Sequence, residues 1–199
     1  MNVNPQQRIL MELKDLQNSP ILNISATVGL PNPNNIYEWR CTLSGPAETP
    51  FEGGLFFLKI IFPKDYPNSK PEVCFLTPIY HINVNPKAGL SEPLGHVCIS
   101  TLNWWNPQCT IRQVLTDIFA LFWLSNPESP YGLERAEEMN KNMNLYNANV
   151  GIILKNMQQW IRNYKFLTLI GISMIKFVKS ESSKNKIYLI KRFIIKLNK

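Results

Sequence analysis

Residues that hold metals are scarce in this chain. Its four cysteines, Cys41, Cys74, Cys98 and Cys109, form no Cys-x-x-Cys pair, and its only histidines are His81 and His96. No zinc spacing can be built from that set, so no structural metal is expected. The first 17 residues lack a basic-then-apolar leader with a small-residue cleavage site, and secretion is therefore not expected. The chain is read as cytoplasmic and also nuclear, with its thiols reduced. No apolar run is long enough to cross a membrane: residues 166–175 make about half of the roughly 20 residues a span needs, and Lys176 ends the run.

A basic face is missing as well, although the net charge is +7. Residues 1–161 hold 11 Lys and Arg against 13 Asp and Glu, whereas residues 162–199 hold 10 against 1. The charge sits in a tail, so a nucleic-acid partner is not expected. With no internal repeat, 199 residues suit one domain and an appendage. The expected division is a catalytic core over 1–162 and a basic, apolar extension over 163–199. That extension reads as disordered or loosely packed; a helix lying on a membrane surface is the less favoured alternative.

Ile9, Leu10, Leu13 and Leu16 recur at helical spacing between Pro5 and Pro20, which predicts a first helix. Strand-like runs at 24–28, 36–44, 54–62 and 73–76 follow, separated by Pro, Gly and Asn turn signals. Strands joined by short turns without helices between them predict an antiparallel meander. A long loop, 77–109, carries Pro78, Pro86, Pro93 and Pro107, and loops of that length inside a domain are usually functional. Thr110 is a natural N-cap for a helix to Leu124, and helices at 133–142 and 145–161 complete the chain.

Inside the long loop stand Tyr80-His81-Ile82-Asn83, then Gly95-His96-Val97-Cys98-Ile99-Ser100, then Trp105-Asn106-Pro107. This series resembles the active site of the ubiquitin-conjugating enzymes. The resemblance runs from about Arg8 to Asn149, taking in Leu43-Ser44-Gly45-Pro46, Thr49-Pro50-Phe51-Glu52-Gly53-Gly54, Ile61-Phe62-Pro63-Lys64-Asp65-Tyr66-Pro67 and Lys70-Pro71-Glu72-Val73 in the family's order. It implies an α+β domain with an N-terminal helix, a four-stranded antiparallel meander and C-terminal helices. It also implies that Cys98 accepts ubiquitin as a thioester from an activating enzyme and passes it to a substrate lysine or a ligase. A thioester already has a good leaving group, so no cofactor is expected.

Other roles follow from the same resemblance. Asn83 would donate to the oxyanion of lysine attack or fix the active-site loop. His81 would hydrogen-bond loop backbone. Ser129, with Glu128 beside it, would orient the incoming lysine. Ser100, like Ser129, stands where an acidic residue is frequent, which makes the lysine-facing gate less acidic than usual. Phe62, Asn106, Pro107 and Gln108 would form the ligase-binding face, Arg8, Glu12 and Lys14 would meet the activating enzyme, and Ser25 would centre a rear surface for a second ubiquitin. Two departures are plain: Ile82 replaces the usual proline, and the loop through residues 87–93 is about seven residues longer than the family's shortest form.

Three competing readings remain beside this one. A papain-like thiol hydrolase would need a recognisable protease signature around His96 and Cys98 and a cysteine that opens a helix, and neither is found. Conjugation of another ubiquitin-like modifier uses the same residues. An inactive ubiquitin-binding scaffold would have lost Cys98. Cys41, Cys74 and Cys109 read as structural.

Overall fold

A computed structural model describes residues 4–21, 26–29, 34–86, 95–127 and 130–169, with backbone alone at 26–29 and 160–169. The order of elements is α1 (Pro5–Asn18), β1 (Ala26–Gly29), β2 (Glu38–Ser44), β3 (Leu55–Ile61), β4 (Glu72–Phe75), α2 (Ser100–Asn103), α3 (Ile111–Ala120), α4 (Leu133–Lys141) and α5 (Met143–Leu169). The chain divides into two compact units, Met1–Leu154 and Lys155–Lys199. The first holds the sheet and helices α1 to α4. The second is described only as the C-terminal part of α5.

Helix α1 starts where Asn4 caps it, the Asn4 side chain accepting from the backbone of Gln6 and Gln7 with Pro5 in the first turn. Ile9, Leu13 and Leu16 turn inward, but Leu10 does not share their stripe: it is 47% exposed, one residue and about 100° round from Ile9. Glu12 occupies the inward face instead.

The strands pair in sequence order, β1-β2-β3-β4, all antiparallel. Alternate residues of β2 and β3 are buried, Trp39, Cys41 and Leu43 facing the core with Phe56, Leu58 and Ile60. Phe62 continues the inward series of β3. It is 3% exposed, its ring edge-on to Trp39 at 4.7 Å and to Tyr66 at 4.9 Å. The expectation that Phe62 forms part of an exposed ligase face is therefore corrected: the period-2 alternation carries it into the core. Phe62→Ala is expected to destabilise the domain by about 3–5 kcal/mol, the usual cost of emptying a phenylalanine site. Urea unfolding checks this, and a loss below about 1 kcal/mol would contradict the packing.

Helix α3 opens with a capping box between Thr110 and Gln113. It ends at Ala120, four residues before the expected Leu124. Beyond it the chain tightens into i to i−3 bonds, Phe122 N–H to Phe119 and Trp123 N–H to Ala120, and the Leu121 carbonyl accepts from His81 at 3.0 Å. Helix α5 runs past the expected end at residue 161 to Leu169. No helix among the described residues is long and apolar enough to cross a membrane.

Candidate active site

The site lies just beyond the sheet edge at β4. Two isolated antiparallel bridges, Cys74 with His96 and Val84 with Val97, bring the segment ending in Cys98 against β4 and the turn at 81–84. Gly95 makes the approach possible. Its φ is +82°, and a Cβ there would stand 2.2 Å from the Phe75 carbonyl oxygen, while its own carbonyl accepts from the Phe75 N–H at 2.8 Å. Past Gly95 the residues alternate: Val97 and Ile99 are buried, His96 and Cys98 half-exposed.

Cys98 is fixed through its backbone, its N–H donating to the Asn83 carbonyl at 2.9 Å, and its sulfur lies 3.4 Å from the Asn103 side-chain amide, which donates to it. Chemically this is a reachable thiol on a braced main chain. Cys41 and Cys74 differ. Burial pushes both thiols up to about 12, with the Glu72 carboxylate adding to the effect at Cys74. Thiols so protonated make poor nucleophiles. Cys109 is half-buried and uses its carbonyl to accept from Arg8 at 3.0 Å.

The turn before the loop is held from several sides. His81 is enclosed, and burial pushes its pKa down to about 4 despite the Leu121 carbonyl, so the ring is neutral at physiological pH. Its Nδ1 accepts from the Asn83 N–H at 3.0 Å while Nε2 donates to Leu121. The Asn83 side chain is fully buried and grips the backbone of Asn126 in both directions: Nδ2 donates to the Asn126 carbonyl at 2.7 Å, and Oδ1 accepts from the Asn126 N–H at 2.8 Å. Ile82 is also enclosed, and its carbonyl accepts from the Tyr131 N–H at 2.8 Å. Packing and hydrogen bonds thus restrain a turn that lacks the proline ring.

Cys98, Asn83, His81 and Ser100 come together here, Ser100 exposed at the first turn of α2. Asn106, Pro107 and Gln108 form a separate exposed turn, tied to α1 by the Arg8 bond to Cys109. Lys14 is exposed on α1, but Glu12 is 8% exposed, and its placement among surface contacts is corrected. One Glu12 oxygen accepts from Arg8 at 2.5 Å and the Tyr66 hydroxyl at 2.7 Å, and the other from the Ile111 N–H at 2.6 Å. A buried carboxylate is tolerated because these donors replace its water. Arg8, as its ion-pair partner, is largely enclosed, with 23% of its side chain exposed. Ser25, Ser129 with Glu128, and the long loop at 87–94 lie outside the described residues. Sequence reasoning missed Asn103, Asn126 and Tyr131. Only Asn126 carries a signal in the sequence, in its Asn-Pro pair, a turn former.

An accessible thiol held by a rigid turn, at the edge of an antiparallel sheet flanked by helices, is an arrangement in which covalent acyl transfer can take place. A family model described as ubiquitin-conjugating enzyme matches residues 8–154. The chain is 34% identical over 159 residues to "Ubiquitin-conjugating enzyme E2 N" of Drosophila melanogaster, covering 79% of this chain and 94% of that protein. Among solved structures it resembles the E2 domain of a Toxoplasma gondii ubiquitin conjugating enzyme, with a TM-score of 0.65 and 31% identity over 76% of this chain and 98% of that one. The chain belongs to the ubiquitin-conjugating enzyme family. It is a ubiquitin transferase of α+β fold that works with an activating enzyme, ubiquitin ligases and substrate lysines.

Proposed function

We propose that Cys98 is the thioester acceptor. The observation that carries this is a half-exposed sulfur reached by the Asn103 amide, on a main chain anchored to Asn83. In charging, the Cys98 thiol loses its proton and its sulfur attacks the acyl carbon of the thioester on the activating enzyme. A new carbon–sulfur bond forms, and the activating enzyme's thiolate leaves. In discharge, a lysine nitrogen attacks the same carbon, the carbon–nitrogen bond forms, and Cys98 leaves as thiolate. A donor at that sulfur stabilises the leaving charge. Asn83 either donates to the oxyanion or holds the loop, and its paired bonds to Asn126 support the second role.

The rest of the assignment follows. Ser129 orients the lysine, Ser100 flanks the nucleophile, and Ser25 centres the rear surface for a second ubiquitin on a four-stranded meander. The ligase meets Asn106, Pro107 and Gln108. The exposed turn at 68–70 supports a face there, because the Trp105 indole donates to the Pro67 carbonyl at 2.8 Å and holds the two turns together. Lys14, with the exposed edge of Arg8, meets the activating enzyme on an adjoining surface. Residues 1–162 form the catalytic core, 163–199 an extension, and the protein acts in cytoplasm and nucleus.

The test is incubation with activating enzymes and each modifier, followed by a non-reducing gel. Ubiquitin should give a thiol-labile adduct, and a different modifier in its place would favour the rival conjugation pathway. Deleting 163–199 should leave the adduct intact. A truncated chain that folds yet accepts no ubiquitin would move the boundary.

A further inference from the structure

His96 lies two residues before Cys98 on an extended segment. The buried Val97 between them faces the core, so both side chains share the outward face, about 7 Å apart along the chain. Its Nδ1 is 2.5 Å from the Tyr131 hydroxyl, and the two rings meet edge to face at 5.9 Å. Tyr131 is in turn fixed by its N–H bond to the Ile82 carbonyl. An imidazole and a phenol therefore stand in hydrogen-bond contact two residues along the chain from the nucleophile, anchored to the turn that orders it.

From this juxtaposition we propose that His96 and Tyr131 form the proton acceptor for the amine that attacks the Cys98 thioester, with Tyr131 passing the proton to His96. The proposal rests on the reading that Cys98 carries the thioester. An amine of pKa near 10.4 is almost wholly protonated at neutral pH, and once it has added to the acyl carbon it must still shed a proton. In the tautomer with hydrogen on Nε2, the Tyr131 hydroxyl donates to Nδ1. As the carbon–nitrogen bond forms, an amine proton moves to the Tyr131 oxygen and the Tyr131 proton moves to Nδ1. The carbon–sulfur bond breaks, Cys98 leaves with its electron pair, and the imidazolium then releases the proton to solvent.

Cys74, bridged directly to His96, is held protonated, with Glu72 bonded to its sulfur at 3.5 Å. Lys59 pairs with Cys74 on the next strand and opposes the Glu72 charge. Cys98 is acylated during discharge, and Tyr131 is the hydrogen-bonded partner.

The experiment starts from purified Cys98–ubiquitin thioester of the full chain, chased with free lysine across the imidazole range. The rate, referred to the free-amine fraction, should rise with pH and level off once the imidazole has lost its proton. His96→Gln should slow discharge roughly 10²-fold, the lower end of what a positioned general base supplies, and flatten the profile. Tyr131→Phe keeps the edge-to-face ring and removes only the hydroxyl, so it should flatten the profile while the thermal transition holds. A flat profile in the unmodified protein overturns the proposal, as does a levelling profile that survives in either variant, including one merely slowed throughout. Failure of the thioester reading looks different: the unmodified protein then yields no thiol-labile adduct to chase.

Discussion

Cys98→Ala is expected to take up no ubiquitin, and Cys98→Ser to take it up as an ester that survives thiol reductant and yields to base or hydroxylamine. The chemistry needs a reachable thiol, and of the four cysteines only Cys98 and Cys109 are partly exposed. Cys41 and Cys74 are buried with thiols held protonated, and Cys109 stands on a separate turn, its carbonyl accepting from Arg8. If Cys98 is the acceptor, alanine at 98 removes the sulfur that would carry the acyl group. Serine keeps the geometry set by the Asn83 carbonyl and offers the Asn103 amide an oxygen in place of sulfur. Its alkoxide is a far poorer leaving group than a thiolate, so the adduct should accumulate and discharge slowly to lysine. Non-reducing and reducing gels read both outcomes. Undiminished, thiol-labile charging of Cys98→Ala would sink the assignment.

The strands were legible to within two residues because their alternation is local, and the same alternation already grouped Phe62 with Phe56, Leu58 and Ile60. Motif likeness pulled Phe62 to the surface against that pattern, and the pattern was the better guide. Glu12 shows the opposite difficulty. It sits on the inward stripe of α1, three residues after Ile9 and one turn from its ion-pair partner Arg8, but the neutral donors that complete its burial, Tyr66 and Ile111, lie 54 and 99 residues away. No window along the chain reveals such a pair. Helix α2 escaped notice because four residues are too few for a helical period, and the early end of α3 reflects a His81 bond across 40 residues. At the site, Cys98 and Asn83 were readable as motif residues. What holds them was not: Asn126 and Tyr131 act through contacts across loops, and Asn103 acts from the short α2 that no helical period revealed.

Asn83→Ala is expected to slow single-turnover discharge to free lysine by about 10²-fold or more, the lower end of what loss of one oxyanion donor costs, and to slow charging less. Two physical effects converge on this residue. If its amide donates to the developing oxyanion, alanine removes a donor that matters when lysine attacks. Alanine also strips both partners from the Asn126 backbone, and each buried group left unsatisfied costs on the order of 1–3 kcal/mol, so the chain at Asn126 loosens and the domain loses stability. A thermal transition measured beside the rate separates the two: a slower discharge with an unchanged transition points to the oxyanion, and a parallel fall in both points to the loop. Ile82→Pro is a poor stiffening control, because Ile82 is itself enclosed and its replacement empties core volume. The cleaner comparison is Asn83→Asp, which keeps an acceptor for the Asn126 N–H and removes the amide donor. Discharge of Asn83→Ala at the rate of the unmodified protein would reduce Asn83 to a turn residue, and the oxyanion would then need another donor.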